Sequence, residues 1–200
     1  SGNTATQLVL DSTALARLAP VSGGGRLRIG ATGQVVGETP TGAVEVNSSI
    51  NLAGGTVQLE SGAAGTAISQ TASISTTNLV LLAPNGSVAM TNGFNDVSTL
   101  AGSAGGSFSY RQADSFQVAG ISAPGAALTL RSDVGITQAG GAGGAIVAQS
   151  LDATVTGGAA SFDNAANQVA VVSGNADGGF TYAGTGNLSI AGITTNAAAG

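Results

Sequence analysis

The chain reads as all-β: a right-handed parallel β-helix (solenoid) with short strands and Gly/Asn-rich corners. Three observations point there. First, residues 95–122 (NDVSTLAGSAGGSFSYRQADSFQVAGIS) and 167–194 (NQVAVVSGNADGGFTYAGTGNLSIAGIT) align without a gap at a spacing of 72 residues. Ten positions are identical, among them Asn95/Asn167, Val97/Val169, Gly102/Gly174, Gly106/Gly178, Phe108/Phe180 and Tyr110/Tyr182. A unit of this kind buries its apolar face by stacking on its neighbours. Second, apolar and polar residues alternate in bursts of three to five residues, the strand period. Third, Gly, Asn, Asp, Ser and Pro punctuate the gaps.

In chain order, the expected strands begin with Leu8-Val9-Leu10, Leu27-Arg28-Ile29, Val44-Glu45-Val46, Val57-Gln58-Leu59 and a strand at Ile74. Then come Phe108-Ser109-Tyr110, Phe116-Gln117-Val118, Leu128-Thr129-Leu130, Leu151 to Val155 and Leu188-Ser189-Ile190. Ser12 to Ala19 is the one helical turn expected, stopped by Pro20. Strands this short do not suit a transmembrane barrel, which needs ~9–11 residues per strand. At ~18–24 residues per coil, 72 residues make three or four coils. With coils ~4.8 Å apart, the whole chain makes a rod of roughly 40–55 Å.

The repeat extends past its best-matched part. Ile68-Ser69-Gln70 parallels Ile136-Thr137-Gln138, Val57-Gln58-Leu59-Glu60-Ser61 parallels Leu128-Thr129-Leu130-Arg131-Ser132, and Leu79 parallels Leu151. Residues 1–200 therefore read as a single solenoid segment. Within it lie a degenerate unit at 1–50, repeat units at 51–122 and 123–194, and the start of a further unit at 195–200. With no initiator Met and no signal-like start, the expectation is an internal piece of a longer polypeptide.

Composition narrows the function classes. Charged residues are only 8%, but 42% are hydrophobic, and that apolar content argues against disorder. The net charge is −5, and the five cations (Arg17, Arg26, Arg28, Arg111 and Arg131) are dispersed. Binding to nucleic acid or to an anionic membrane needs clustered cations, so neither is expected. There is no cysteine, hence no disulfide or thiolate site, and no apolar run long enough to span a bilayer.

Candidate chemistry is sparse. Asp152 and Asp163, placed on neighbouring strands, with Asp177 beyond, are the carboxylates from which a polysaccharide-cleaving site could be built. Their scatter reads better as turn and solvent-facing positions. Arg111 or Arg131 could stabilise an anion, but no Lys or His stands by as a base. Gly140-Gly141-Ala142-Gly143-Gly144 lacks the Asp of a calcium-binding repeat, and Asn175-Ala176-Asp177-Gly178-Gly179 has one Asp, not continued in register. Gly23-Gly24-Gly25-Arg26 lacks the Lys and helix of a phosphate loop. Phe108/Tyr110 and Phe180/Tyr182 could form a sugar-stacking face, but read as core filling. Asn47, Asn85 and Asn187 head N-x-[ST] sequons, at a frequency that chance explains in so Asn- and Ser-rich a chain. No catalytic, cofactor-binding or metal residue is assigned, and no cofactor is expected.

The order [LV]-x-L, I-[ST]-Q, L-x-A, N-x-V, G-x-F and a V-A-G-I-type ending, over most of residues 45 to 200, resembles the β-strand repeats of filamentous haemagglutinin-like and autotransporter-type exoproteins. The resemblance implies secretion to the Gram-negative cell surface by a two-partner or autotransporter route, and a role as the structural shaft of an adhesin in adhesion or biofilm formation. The export domain with its NPN motifs is not present: Pro84-Asn85-Gly86 follows Ala83, not Asn. Expected partners are surface glycans or proteins, met through distal regions or corner loops such as residues 138 to 145, and further copies met end to end. The alternatives are a β-helical polysaccharide lyase or hydrolase, which needs acids clustered on one face, and a self-assembling or ice-binding solenoid. The last needs T-x-T ladders where only Thr76-Thr77 and Thr194-Thr195 cluster.

Overall fold

A computed structural model describes residues 8–10 and 25–196. They form a parallel β-solenoid of about seven turns. The expected helical turn at Ser12 to Ala19, Gly23 and Gly24 of the glycine run, Arg17 and most of the terminal 195–200 segment lie outside the described residues.

Sixteen strands make up the sheet. They are β1 (Leu8–Leu10), β2 (Arg26–Ala31), β3 (Val44–Val46), β4 (Ile50–Ser61), β5 (Gly65–Gln70), β6 (Ile74–Ala83), β7 (Gly86–Met90) and β8 (Asp96–Ala104), then β9 (Phe108–Gln112), β10 (Phe116–Ser132), β11 (Ile136–Gln138), β12 (Ile146–Val155), β13 (Ala160–Phe162), β14 (Gln168–Ala176), β15 (Phe180–Tyr182) and β16 (Ser189–Thr194). All the pairings are parallel, and they run up the rod in two main ladders, with shorter runs between them through Ile50, Ile74 and Asp96 and through Ile121, Ile146 and Gln168. One joins β1, β3, β5, β7, β9, the end of β10, β12, β14 and β16. The other joins β2, β4, β6, β8, the start of β10, β11, β13 and β15.

Alternation decides which residues face in. Val57, Leu79, Leu100 and Val118 stack inward on one ladder, and Ile68, Val88, Phe108, Leu128, Leu151 and Val172 on the other, all at 0–1% exposure. Each such side chain contributes about 1.5–3 kcal/mol of burial, and each rests on the same ladder position one coil below.

Several strands exceed the expected three to five residues: β10 has 17, β4 has 12, and β6 and β12 have 10 each. The ladder bends at a corner without breaking, through register shifts between Leu52 and Thr56 and between Ala123 and Ala127. Gly54 and Gly125 sit at these shifts with φ of 76° each, a conformation only glycine adopts at no steric cost. Seven turns at ~4.8 Å give a rod of about 34 Å, shorter than the 40–55 Å expected. The first coil consumes the difference: Leu8 pairs with Val44 and Leu27 with Val57, and residues 32–43 leave the ladders as a loop.

The 72-residue period is neither three coils nor four. Phe108 pairs with Val88 and Leu128 on the first ladder, while its repeat mate Phe180 pairs with Ala160 on the second. Leu79 pairs with Leu100 on the second ladder, and Leu151 with Val172 on the first. The repeat thus spans three turns and a fraction, and equivalent residues of the two copies stand on different ladders. β10 is where they exchange: its start lies on one ladder, its end on the other, and Gly120 (φ 92°) bends the chain between.

Two of the identical pairs, Gly102/Gly174 and Asn95/Asn167, keep their environments across this exchange. A Cβ on Gly102 would stand 2.4 Å from the Leu81 carbonyl oxygen and 2.9 Å from the Phe108 ring; on Gly174 it would stand 2.1 Å from that of Ala153 and 2.8 Å from Phe180. Asn95 is buried and its Oδ1 accepts from Gln70 Nε2 (2.8 Å) and the Ile74 amide (3.0 Å), while its Nδ2 donates to Gln70 Oε1 (3.1 Å) and the Arg111 carbonyl (3.0 Å). Asn167 repeats the arrangement with Gln138 (2.6 and 3.0 Å), the Ile146 amide (2.8 Å) and the carbonyl of Ala183 (2.9 Å). The I-[ST]-Q and N-x-V motifs are therefore two halves of one corner lock.

Asn167→Ala leaves the Ile146 N–H without its partner and takes two hydrogen bonds from the Gln138 amide at a buried corner, and the expected loss is about 3 kcal/mol in urea unfolding. Thr71→Ala, which removes an exposed hydrogen bond to Asn47, is expected to cost less than about 0.5 kcal/mol. Equal costs for the two would contradict the lock.

Candidate functional site

Outward positions on the first ladder bring together what the linear sequence keeps apart. Arg131 on β10 lies directly beside Arg111 on β9, and Thr129 beside Ser109. With Thr91 and Tyr110 they line an open groove of about 440 Å³. Both arginines follow an apolar-x-apolar triplet, Phe108-Ser109-Tyr110 and Leu128-Thr129-Leu130, and the alternation that buries those triplets turns the next residue outward. The sequence names both arginines. Their adjacency becomes visible only once one coil at this point is known to take twenty residues.

The groove floor is rigid. Tyr110 is 1% exposed, packs edge-on against Phe116 at 5.1 Å, and donates its hydroxyl proton to Gln112 Oε1 at 2.6 Å. Gln112 in turn accepts from the Val97 amide (3.1 Å) and donates to the Val97 and Ser115 carbonyls (3.2 and 3.0 Å). Burial pushes the Tyr110 phenol far above its ordinary range, with the Asp96 carboxylate adding to the shift.

The three candidate aspartates do not converge. Asp152 lies on β12, which pairs with β10 and β14; Asp163 follows β13, which pairs with β11 and β15. They stand on different ladders, not on neighbouring strands, because the chain crosses the rod between them. Asp152 Oδ1 accepts from Ser173 Oγ (3.2 Å), and Asp177 Oδ1 from Asn196 Nδ2 (2.9 Å), while Asp163 is exposed. Among the described residues no three Asp or Glu side chains gather closely enough to share a cation.

The glycine runs at 140–144 and 177–179 form turns. Ala142–Gly144 forms a one-turn 3-10 helix. The 138–145 corner is tied down: Gln138 Nε2 donates to the Gly144 carbonyl (2.8 Å), and Asn164 Nδ2 to those of Ala139 and Gly141 (2.9 and 2.7 Å). Gly178 packs on the Gly158 backbone, and Gly25 accepts from the Thr56 amide (2.9 Å). Phe108 and Tyr110 are core, while Phe180 and Tyr182 are only half covered in the last coil. The sequon residues Asn47, Asn85 and Asn187 are exposed; Asn47 accepts from Thr71 (2.9 Å), and Asn85 donates to the Gly62 carbonyl (3.1 Å).

One cluster has no counterpart in the sequence reading. Arg28 Nε and Nη2 donate to Glu60 (2.6 and 2.7 Å), and Nη2 also to Glu38 (2.5 Å). The hydrogen bonds from Arg28 hold the Glu60 carboxyl below its ordinary range, against the opposing effect of burial. The signal was slight: Glu60 and Arg28 fall on adjacent rungs only because Arg28 pairs with Gln58. This cluster pins the 32–43 loop to the first coil.

A raised folded-state pKa contributes stability below the unfolded phenol's value, about 10, and that stability is lost as pH rises beyond it. In an alkaline absorbance titration, Tyr110 is expected to ionise together with loss of the β-sheet circular dichroism signal, after the half-buried Tyr182. Ionisation of both tyrosines while the fold persists would contradict the buried Tyr110–Gln112 pair. Compared with protein-family models, curated proteins and solved structures, the chain matches none, so its relation to known proteins rests on the solenoid architecture alone.

Proposed function

We propose that this chain is a shaft segment of a large secreted bacterial surface adhesin. It would hold a more distal adhesive region away from the cell and so support adhesion or biofilm formation. The observation that carries the reading is coil-on-coil stacking: about seven turns of parallel ladder around one continuous core. Phe116 and Val118, 3% and 0% exposed, are covered by the next coil, where they pair with Ile136 and Gln138 of β11. Their repeat mates Leu188 and Ile190 are 44% and 64% exposed among the described residues.

The coil-by-coil architecture supports a mechanical role. Each coil contacts mainly its neighbours, so a chain exported in extended form can zip up sequentially. The stiffness needed in a spacer comes from two continuous hydrogen-bonded ladders around an unbroken core. This reading gives the chain no catalytic role.

Surface labelling tests the location: antibodies raised against the chain should stain intact cells of the source bacterium, and staining only after lysis would overturn the reading. Sedimentation tests the stacking. The isolated 200 residues are expected to self-associate at high concentration, and Leu188→Asp with Ile190→Asp to weaken association at least tenfold. A clean monomer for the unaltered chain would count against a stacking end.

A further inference from the structure

We propose that the Arg111–Arg131 groove is a binding site for an oxyanion: a carboxylate, sulfate or phosphate group held between the two guanidinium groups. The two arginines stand directly opposite each other on adjacent parallel strands, about 4.8 Å apart along the rod. Like charges so placed destabilise a sheet. The fold offers little to offset them. Arg111 Nη2 is 4.0 Å from Asp133 Oδ2, with both side chains 48% exposed. The Arg131 side chain makes no ion pair or hydrogen bond with any described residue. Two further acids stand near: exposed Asp114, three residues on from Arg111, and Asp152, one coil on from Thr129, whose Oδ1 accepts from Ser173.

The surroundings suit an anion carried on a polar molecule. Guanidinium presents its donors in a planar fork that matches oxyanions, and two forks side by side can take one group from both flanks. Thr91, Ser109 and Thr129 add hydroxyls along the same groove. A volume of about 440 Å³ lies within the ~300–1,000 Å³ range of small-ligand sites. The floor does not yield, because Tyr110 is locked by Gln112 and Phe116. This groove lies on the flank of the rod, so it remains open when coils stack at the ends, and the inference stands independently of the shaft reading.

The test is nuclear magnetic resonance of the arginine Nε–H groups in the ¹⁵N-labelled 200-residue protein. Three probes are titrated at constant ionic strength: inorganic sulfate, a uronate oligosaccharide and a neutral oligosaccharide of the same length. The Arg111 and Arg131 signals are expected to shift saturably with both anionic probes and not with the neutral one. Arg131→Gln is expected to weaken binding at least tenfold, Arg131→Lys to recover part of the loss, and Arg26→Gln, at the far end of the rod, to change it less than twofold. Tighter binding of the uronate oligomer than of sulfate would support an anion carried on a saccharide; equal binding would support a free anion in the same site. No saturable shift with either anion, or an equal loss in Arg26→Gln, would overturn the proposal.

Discussion

Reciprocal pairing of corner amides, Gln70 with buried Asn95 and Gln138 with buried Asn167, is the constraint on which the coil register depends. A strand that slips by one residue turns its whole apolar set outward. Parallel ladders alone guard weakly against slippage, since one Val or Leu fits much like the next. An amide that must meet a particular amide, and also the backbone N–H of Ile74 or Ile146, has one satisfactory position. Once the corners are set, the alternation in the strands decides which side chains fill the core.

The same logic explains why the repeat keeps the residues it does. Gly102 and Gly174 leave room for Phe108 and Phe180 against a carbonyl of the coil below. Ser61 and Ser132 close equivalent turns: their hydroxyls donate to the Gly42 and Asp114 carbonyls and accept from the Ala63 and Val134 amides. These are packing and turn roles, so the identity of these residues speaks of architecture and leaves the ligand open.

Much of the architecture was legible because it is local. Period-2 bursts such as Leu128-Thr129-Leu130 mark strands wherever they fall, and the 72-residue match exposes the stacking. What could not be read was phase. The repeat length does not say how many residues a coil takes, so whether Phe180 stands above Phe108 or across the rod from it had to come from the pairing. The same ignorance hid the groove: Arg111 and Arg131 became neighbours, and Asp152 and Asp163 ceased to be, on the strength of the register. Strands outrun the bursts for a related reason: Gly54 and Gly125 lie between bursts but act as bends within continuing strands.

A repeat that is not a whole number of turns also changes how a rod can be decorated. If a unit closed on whole turns, any feature it carried would recur in a file down one side, like teeth on a comb. Here each new copy of the unit turns the pattern to a different flank, as leaves wind around a stem. A longer array built on this rule would show the same relief on more than one side. Neighbouring rods could then meet through more than one flank without first rotating, while like features on one flank would be kept more than one repeat length apart.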